Sequence, residues 1–361
     1  MNNTLRTGAL APVLALVLAP VLAGCAGGSA APAVPGTGTS STTASTTPAA
    51  TTTTTSPPVE SPPVESPSAS SSPSSTVGAA PPSGVGTGGV GAGGVAAGQL
   101  PRGGSTVFPA YRLFGYSGAP GSAAFGRLGT GDLDARVREI ERKGKAYAGG
   151  RKVLPVLELI TVVVDSQPGA DGDYNRQVSD ATIRQYLAAA RRHRALLLLD
   201  VQPGRDDFLT LAKQLEPWLR QPDVGLALDP EWAVEKGQVP GQTYGRTTGA
   251  ELDRVAAYLD GLVRAHRLPQ KVMVFHQVAA KVVRRQEGLR SRPGVVVIKS
   301  VDGIGSRGAK TATWQVLVKG LPRSIHPGFK LFYDEDTRHG PLMTPAQVLA
   351  LKPTPEYVLI E

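Results

Sequence analysis

Eight short apolar runs, spread from Tyr111 to the last residue, constrain the fold of this chain more than any other feature. They are Tyr111–Tyr116, Lys152–Glu158, Ala195–Gln202, Val224–Glu231, Lys271–Gln277, Val295–Ser300, Phe329–Glu335 and Tyr357–Glu361. Their length and β-branched content predict strands. Helical patterns lie between them. Asp132–Tyr147 is one, Ser179-Asp180 caps a second over Ala181–Arg194, and Arg205–Arg220 is a third. Thr248–Arg267 is the longest and is stopped by Pro269. Weaker patterns cover Ala279–Leu289 and Arg307–Lys319, and Thr344-Pro345 starts the last helix with proline at its first position. Strands alternating with helices predict parallel pairing. Eight such repeats in about 257 residues predict an α/β fold of (β/α)8 TIM-like barrel type, with a doubly wound open sheet as the alternative. Nothing follows the eighth run to form a helix, so the segment around Phe108–Arg112 is expected to cover that gap, or the barrel to be irregular.

Strand parity favours the barrel. In the fourth run Gly225, Ala227, Asp229 and Glu231 share one face, and Val224, Leu226 and Leu228 the other. Small residues ending in carboxylates suit a barrel interior that opens into a site. The aliphatic face suits packing against outer helices.

The chain before Ser105 has a different character. From Gly27 to Gly104 it is Ser, Thr, Pro, Gly and Ala, with a tandem Ser-Pro-Pro-Val-Glu at 56–60 and 61–65. So little apolar surface cannot offset chain entropy, and a disordered tether is expected. Ahead of it, Arg6 and the apolar Ala9–Val21 have the form of an export signal. That run is too short to span a bilayer stably. It closes on Leu22-Ala23-Gly24-Cys25, which contains the only cysteine. This stretch resembles the bacterial lipobox, whose cysteine is acylated with chains such as palmitate and becomes the first mature residue. The resemblance implies a lipoprotein signal peptide at 1–24, a lipidated Cys25 and disordered linker at 25–104, and a barrel domain at 105–361. It also implies membrane attachment on the extracytoplasmic face.

Setting aside Arg6, Arg102, Glu60 and Glu65 leaves 36 basic and 27 acidic residues of the 38 and 29 in the chain, so the net charge of +9 belongs to the folded part. Outside a membrane, a basic surface favours anionic partners such as lipid headgroups or wall polymers. Export and the lack of a basic-aromatic motif argue against nucleic acid as a partner. With Cys25 committed to lipid, disulfides and thiolate metal sites are excluded. No sequence feature calls for self-association, so a monomer is expected.

Active sites of such barrels collect at the C-terminal ends of the strands. Polar groups recur there: Tyr116, Glu158, Asp200 with Gln202, Asp229 with Glu231, His276, Asp302, Tyr333-Asp334-Glu335 and Glu361. Carboxylates converging on one mouth repel each other, which raises the proton affinity of some. Asp229-Pro230-Glu231-Trp232 is the sharpest signal. An Asp-x-Glu ending the fourth strand resembles chitinase-like and muramidase-like glycoside hydrolase barrels, although Ala227 stands where the fuller chitinase pattern has a further aspartate. That resemblance implies Glu231 as general acid and Asp229 as its partner. The strand-seven acids Glu335 and Asp334 are expected as nucleophile or base. Glu158, Asp200, Gln202, His276 and Asp302 are expected to hold sugar hydroxyls, and Tyr116, Tyr333 and Trp232 to contact sugar rings. The expected substrate is a cell-envelope polysaccharide, and a non-catalytic glycan-binding barrel is the alternative. From Phe114 to Glu361 the chain is also similar to uncharacterised lipoproteins of high-GC Gram-positive bacteria, which implies no activity.

Other chemistries lack their motifs. The five histidines include no His-x-His pair. Gly126, Gly129 and Gly131 are in the wrong order for a dinucleotide loop. There is no Gly-x-Ser-x-Gly elbow. A site of carboxylates alone gives no reason to expect a metal, and no cofactor is expected.

Overall fold

A computed structural model describes residues 98–361. The lipobox, Cys25 and the low-complexity tract as far as residue 97 lie outside the described residues. Eight parallel strands form a closed (β/α)8 barrel: β1 Tyr111–Gly118, β2 Lys152–Val164, β3 Leu196–Val201, β4 Val224–Leu228, β5 Lys271–Gln277, β6 Val295–Val301, β7 Ile325–Leu331 and β8 Tyr357–Ile360. Each pairs with the next, and β8 closes on β1 with Leu113 beside Tyr357 and Tyr116 beside Ile360. A three-residue strand, Asn175–Gln177, adds antiparallel to the end of β2.

Alternation along the strands sorts the core into two layers. Inside the barrel pack Leu113, Leu154, Val156, Leu198, Ala227, Val274, Ile298 and Leu359. Outside, between barrel and helices, pack Phe114, Leu157, Leu199, Leu226, Phe275, Phe329 and Val358. The interior is crowded at β4, where a Cβ on Gly225 would stand 2.6 Å from the Val272 carbonyl oxygen. Leu100 and Val107 join the interior layer, so the segment before β1 plugs one end of the barrel and packing begins ahead of Ser105.

The helices are α1 Leu133–Gly144, α2 Asp180–Arg192, α3 Phe208–Gln214, α4 Glu216–Leu219, α5 Gly249–His266, α6 Arg307–Leu317, α7 Tyr333–Thr337 and α8 Pro345–Leu349. Local signals set their starts. The Ser179 hydroxyl accepts from the Thr182 N–H, and Thr248 with Glu251 forms a full capping box, as does Thr344 with Gln347. Three expected elements differ. The Arg205–Arg220 pattern breaks into α3 and α4, with Pro217 inside the first turn of α4. Ala279–Leu289 is not a helix: its β-branched Val283 pairs with Thr247 in a small separate strand pair, flanked by 3₁₀ turns. The seventh strand lies earlier than expected, at Ile325–Leu331, and Tyr333-Asp334-Glu335 begin α7 instead of ending a strand.

Candidate active site

Interior parity carries the strands to one polar layer above the apolar ones. Ser117 of β1, Glu158 of β2, Asp200 of β3, His276 of β5, Ser300 of β6 and Lys330 of β7 occupy it. Asp229, Asp302 and Glu361 follow the ends of β4, β6 and β8. All of these are buried except Glu361, which is half-buried. Glu158 is not at a strand end, because β2 runs on through a bulge between Ile160 and Val162. It therefore sits deep in the barrel, fully buried.

The layer is wired through His276. Its Nδ1 pairs with Asp302 Oδ2 at 2.8 Å, and the Ser300 hydroxyl donates to Asp302 Oδ1 at 2.7 Å. Its Nε2 lies 3.3 Å from Glu158 Oε1 and 3.9 Å from Asp229 Oδ1. None of these three atoms has a hydrogen-bond partner. The Tyr357 hydroxyl donates to the other Glu158 oxygen at 3.0 Å, and the Gln202 amide donates to Asp229 Oδ2 at 3.1 Å. Lys330 pairs with Glu361 at 2.6 Å and stands 3.6 Å from Asp302.

Carboxylates outnumber cations here, and proton affinities follow. Burial first, then the neighbouring Asp229 and Glu158 charges, pushes Asp200 well above the usual carboxylate range. Burial, then Asp229 and Asp302, does the same to Glu231. Burial also raises Asp229 and Glu361, against the pull of His276 and Lys330 on the first and of Lys330 on the second. Asp302 goes the other way: burial opposes its charge, yet His276 and Lys330 hold it below its ordinary value. Burial likewise opposes the charge on His276, but Asp302, Glu158 and Asp229 keep it protonated well above the usual imidazole range.

Above this layer opens a pocket enclosing about 690 Å³, part of it solvent. Gln202, Asp229, Asp302, Lys330 and Glu361 line its floor side, and Phe125, Trp232, Tyr244 and Phe332 give it aromatic walls. Glu231 and Glu335 both line it. Glu231 has left the strand for a 3₁₀ turn, Pro230–Trp232, and its Oε2 is buried with no partner. Apolar walls carrying a few convergent polar groups are the usual form of a small-molecule site.

The expected site residues separate into four groups. Glu231, Asp229, Glu335, Gln202, Asp302 and Trp232 line the pocket. Glu158, Asp200 and His276 lie beneath its floor, too deep to hold sugar hydroxyls directly. Asp334 is exposed on α7 and outside the pocket. Tyr116 and Tyr333 are also outside it. Tyr116 shares the outer face of β1 with Phe114, and its hydroxyl donates to Glu139 at 3.0 Å. Tyr333 packs edge-on against Tyr116, with ring centroids 6.4 Å apart. Lys330 went unread because the misplaced seventh strand hid its parity, whereas the correct register sets Gly328 and Lys330 inward. Phe332 was missed for the same reason.

Comparison with known protein families finds no matching family model, and no curated protein matches the chain. The class defined by fold and site is a TIM-like barrel with a buried carboxylate–histidine group under an aromatic-walled pocket.

Proposed function

We propose that this chain is a membrane-anchored, extracytoplasmic barrel of glycoside-hydrolase type, acting on a cell-envelope glycan by carboxylate general acid/base chemistry. The observation that carries the reading is Glu231: a carboxyl whose Oε2 is buried without a hydrogen-bond partner, lining an aromatic-walled pocket that a second carboxyl, Glu335, also lines. In this reading Glu231 protonates the leaving oxygen, and burial, with Asp229 and Asp302 beside it, raises its proton affinity well above the usual carboxylate range. Glu335 acts as nucleophile or base, and Asp229 stabilises the cationic sugar. Trp232 and Phe332 offer faces for sugar rings. In this reading, anchoring through Cys25 and the net positive charge of the domain would hold the activity beside anionic envelope polymers.

The test is a screen of the purified chain against envelope polysaccharides, with Glu231→Gln beside it. Release of reducing ends should fall by about 10²–10⁴-fold in the variant. Release that Glu231→Gln leaves untouched defeats the acid assignment. The second reading, a glycan-binding barrel without catalysis, draws support from the Lys330–Glu361 and His276–Asp302 pairs, which tie up two of the mouth acids. It predicts retention of polysaccharide on the chain with no release by either protein.

A further inference from the structure

The mechanism above gives no direct role to the most deeply buried polar cluster in the barrel. Glu158, Asp200 and His276 are 0%, 2% and 0% exposed. One ligand-type atom from each lies within 4.8 Å of the other two, and this is the one such group among the described residues. Acidic residues brought together by topology do not make a site. Here a second observation points inward: Glu158 Oε1 and His276 Nε2 are both buried and face each other at 3.3 Å as an ion pair without a hydrogen bond, and an ion taken up by Nε2 would displace the proton that the surrounding carboxylates hold there. Buried polar atoms without a hydrogen bond are unfavourable, and a shared ion ligated by both would relieve the two at once.

From these atoms we propose that Glu158, Asp200 and His276 bind a divalent transition-metal ion, Zn²⁺ or Mn²⁺, beneath the pocket floor. One imidazole with two carboxylates is a donor set that suits such ions. Two ligands each about 2.0–2.1 Å from a tetrahedral centre stand about 3.3–3.4 Å apart, which is the spacing of Nε2 and Oε1. The outer partners of a metal-bound histidine are also in place. Nδ1 is held by Asp302, which is fixed in turn by Ser300, and this turns Nε2 toward the carboxylates. The Tyr357 hydroxyl fixes Glu158 in the same way. Asp229 Oδ1, also without a hydrogen bond and 3.9 Å from Nε2, borders the site on the pocket side, where it would accept a hydrogen bond from metal-bound water. The ion would set the position of Asp229 in the pocket floor. The proposal does not depend on the glycosidase reading, because it concerns occupancy rather than turnover.

Chelator-stripped full chain should take up one Zn²⁺ per chain in a calorimetric titration. Saturating Zn²⁺ at about a hundred times its Kd should raise Tm by about 5 °C or more. Glu158→Gln and Asp200→Asn, checked for folding by circular dichroism, should each lose more affinity than the about 10–100-fold expected for the outer partner in Asp302→Asn. His193, near Asp134 and Glu141, and His326, paired with Glu356, are the competing imidazoles beside carboxylates. His193→Gln and His326→Gln should each bind Zn²⁺ like the parent, and X-ray absorption of the loaded double variant should show one imidazole and oxygen ligands near 2.0–2.1 Å. This last measurement needs no change inside the cluster, so it decides the matter even if the interior variants do not fold. A flat titration would mean that water fills the gap. Binding that survives both interior variants, or disappears in His193→Gln or His326→Gln, would also overturn the proposal.

Discussion

Two acid clusters in this barrel are close in composition and opposite in design. Behind β1, Glu139 of α1 meets Arg136 at 2.6 Å, Arg127 at 2.9 Å and Lys143 at 3.2 Å, and it accepts from the Tyr116 hydroxyl. Burial works against its charge, but the Arg127, Tyr116 and Lys143 hydrogen bonds bring its pKa down to about 2. In the mouth the ratio is reversed: Asp200, Asp229, Glu231, Asp302, Glu361 and Glu158 share His276 and Lys330, and three carboxylate oxygens have no hydrogen-bond partner. A carboxylate surrounded by cations can contribute stability but has no proton to give. One buried among other carboxylates costs stability and can give a proton. The same residue type thus serves the wall in one place and chemistry in the other.

The largest effect that would break this contrast is on turnover. Glu231→Gln should abolish nearly all sugar release, by about 10²–10⁴-fold, while leaving Tm level or slightly higher, since it removes an acid whose charged form its surroundings disfavour. A fall in Tm of several degrees would place Glu231 with the structural acids.

A buried cation tests the contrast from the other side. Lys271 opens β5, is 1% exposed, and donates to the carbonyls of Gln221 and Val224. Burial lowers its pKa from 10.5 to about 7. Between about pH 7 and 10.5 the unfolded chain therefore holds a proton that the folded chain has released, and stability rises with pH across that window. Wild type should gain up to about 4 kcal/mol relative to Lys271→Met from pH 7 to 10.5, read as the difference of two urea-denaturation series. Parallel series would show that the amine keeps its proton in the fold.

Glu139→Gln should cost about 1–3 kcal/mol at pH 7, because three cations lose their shared anion. The direction with pH is the usual one for a lowered carboxylate. The contribution is complete above about pH 4.5 and is lost as pH falls through about 2. The gap between wild type and variant should narrow over that range in acid denaturation, with no change in polysaccharide release at pH 7. A gap independent of pH would mean that Glu139 acts by packing alone.

How far the sequence reached depended on whether parity could be counted from a correct starting register. In β4, Gly225, Ala227 and Asp229 stand inside and Leu226 and Leu228 outside, as alternation dictates, and the polar ends of β2, β3, β5 and β6 were legible in the same way. Two signals were misleading. Aromatic and acidic residues at 332–335 looked like a continued strand, yet Phe332 is the N-cap of a one-turn helix. That placed Tyr333 and Asp334 in the site and left Lys330 out. The length of β2 was also hidden, because Leu159 to Val164 is apolar but for the β-branched Thr161 and gives no mark where the barrel ends and the extension begins. Depth was not legible at all. Glu158, Asp200 and His276 appear in the sequence as strand-end polar groups like Gln202, and only three-dimensional stagger puts them under the floor.

Tyr116 gives the smallest effect and the finest test of that limit. Its position at a strand end makes it a candidate for stacking on sugar, but it shares a face with Phe114, not with Ser117, so its ring is sealed between β1 and α1. What it offers there is a hydrogen bond to Glu139 and a longer contact of 3.5 Å with the Tyr333 hydroxyl, in a cluster where Arg127 and Lys143 also lie within about 6 Å of its ring. Tyr116→Phe keeps the ring and removes only the donor. Stability should fall by about 1 kcal/mol, and the acid limb of unfolding should shift slightly toward higher pH as Glu139 loses one stabilising bond. KM and kcat for any glycan turned over should stay at wild-type values, because the pocket lies on the other side of the strand. A rise in KM would put the ring in contact with substrate and would mean that β1 turns its other face to the mouth.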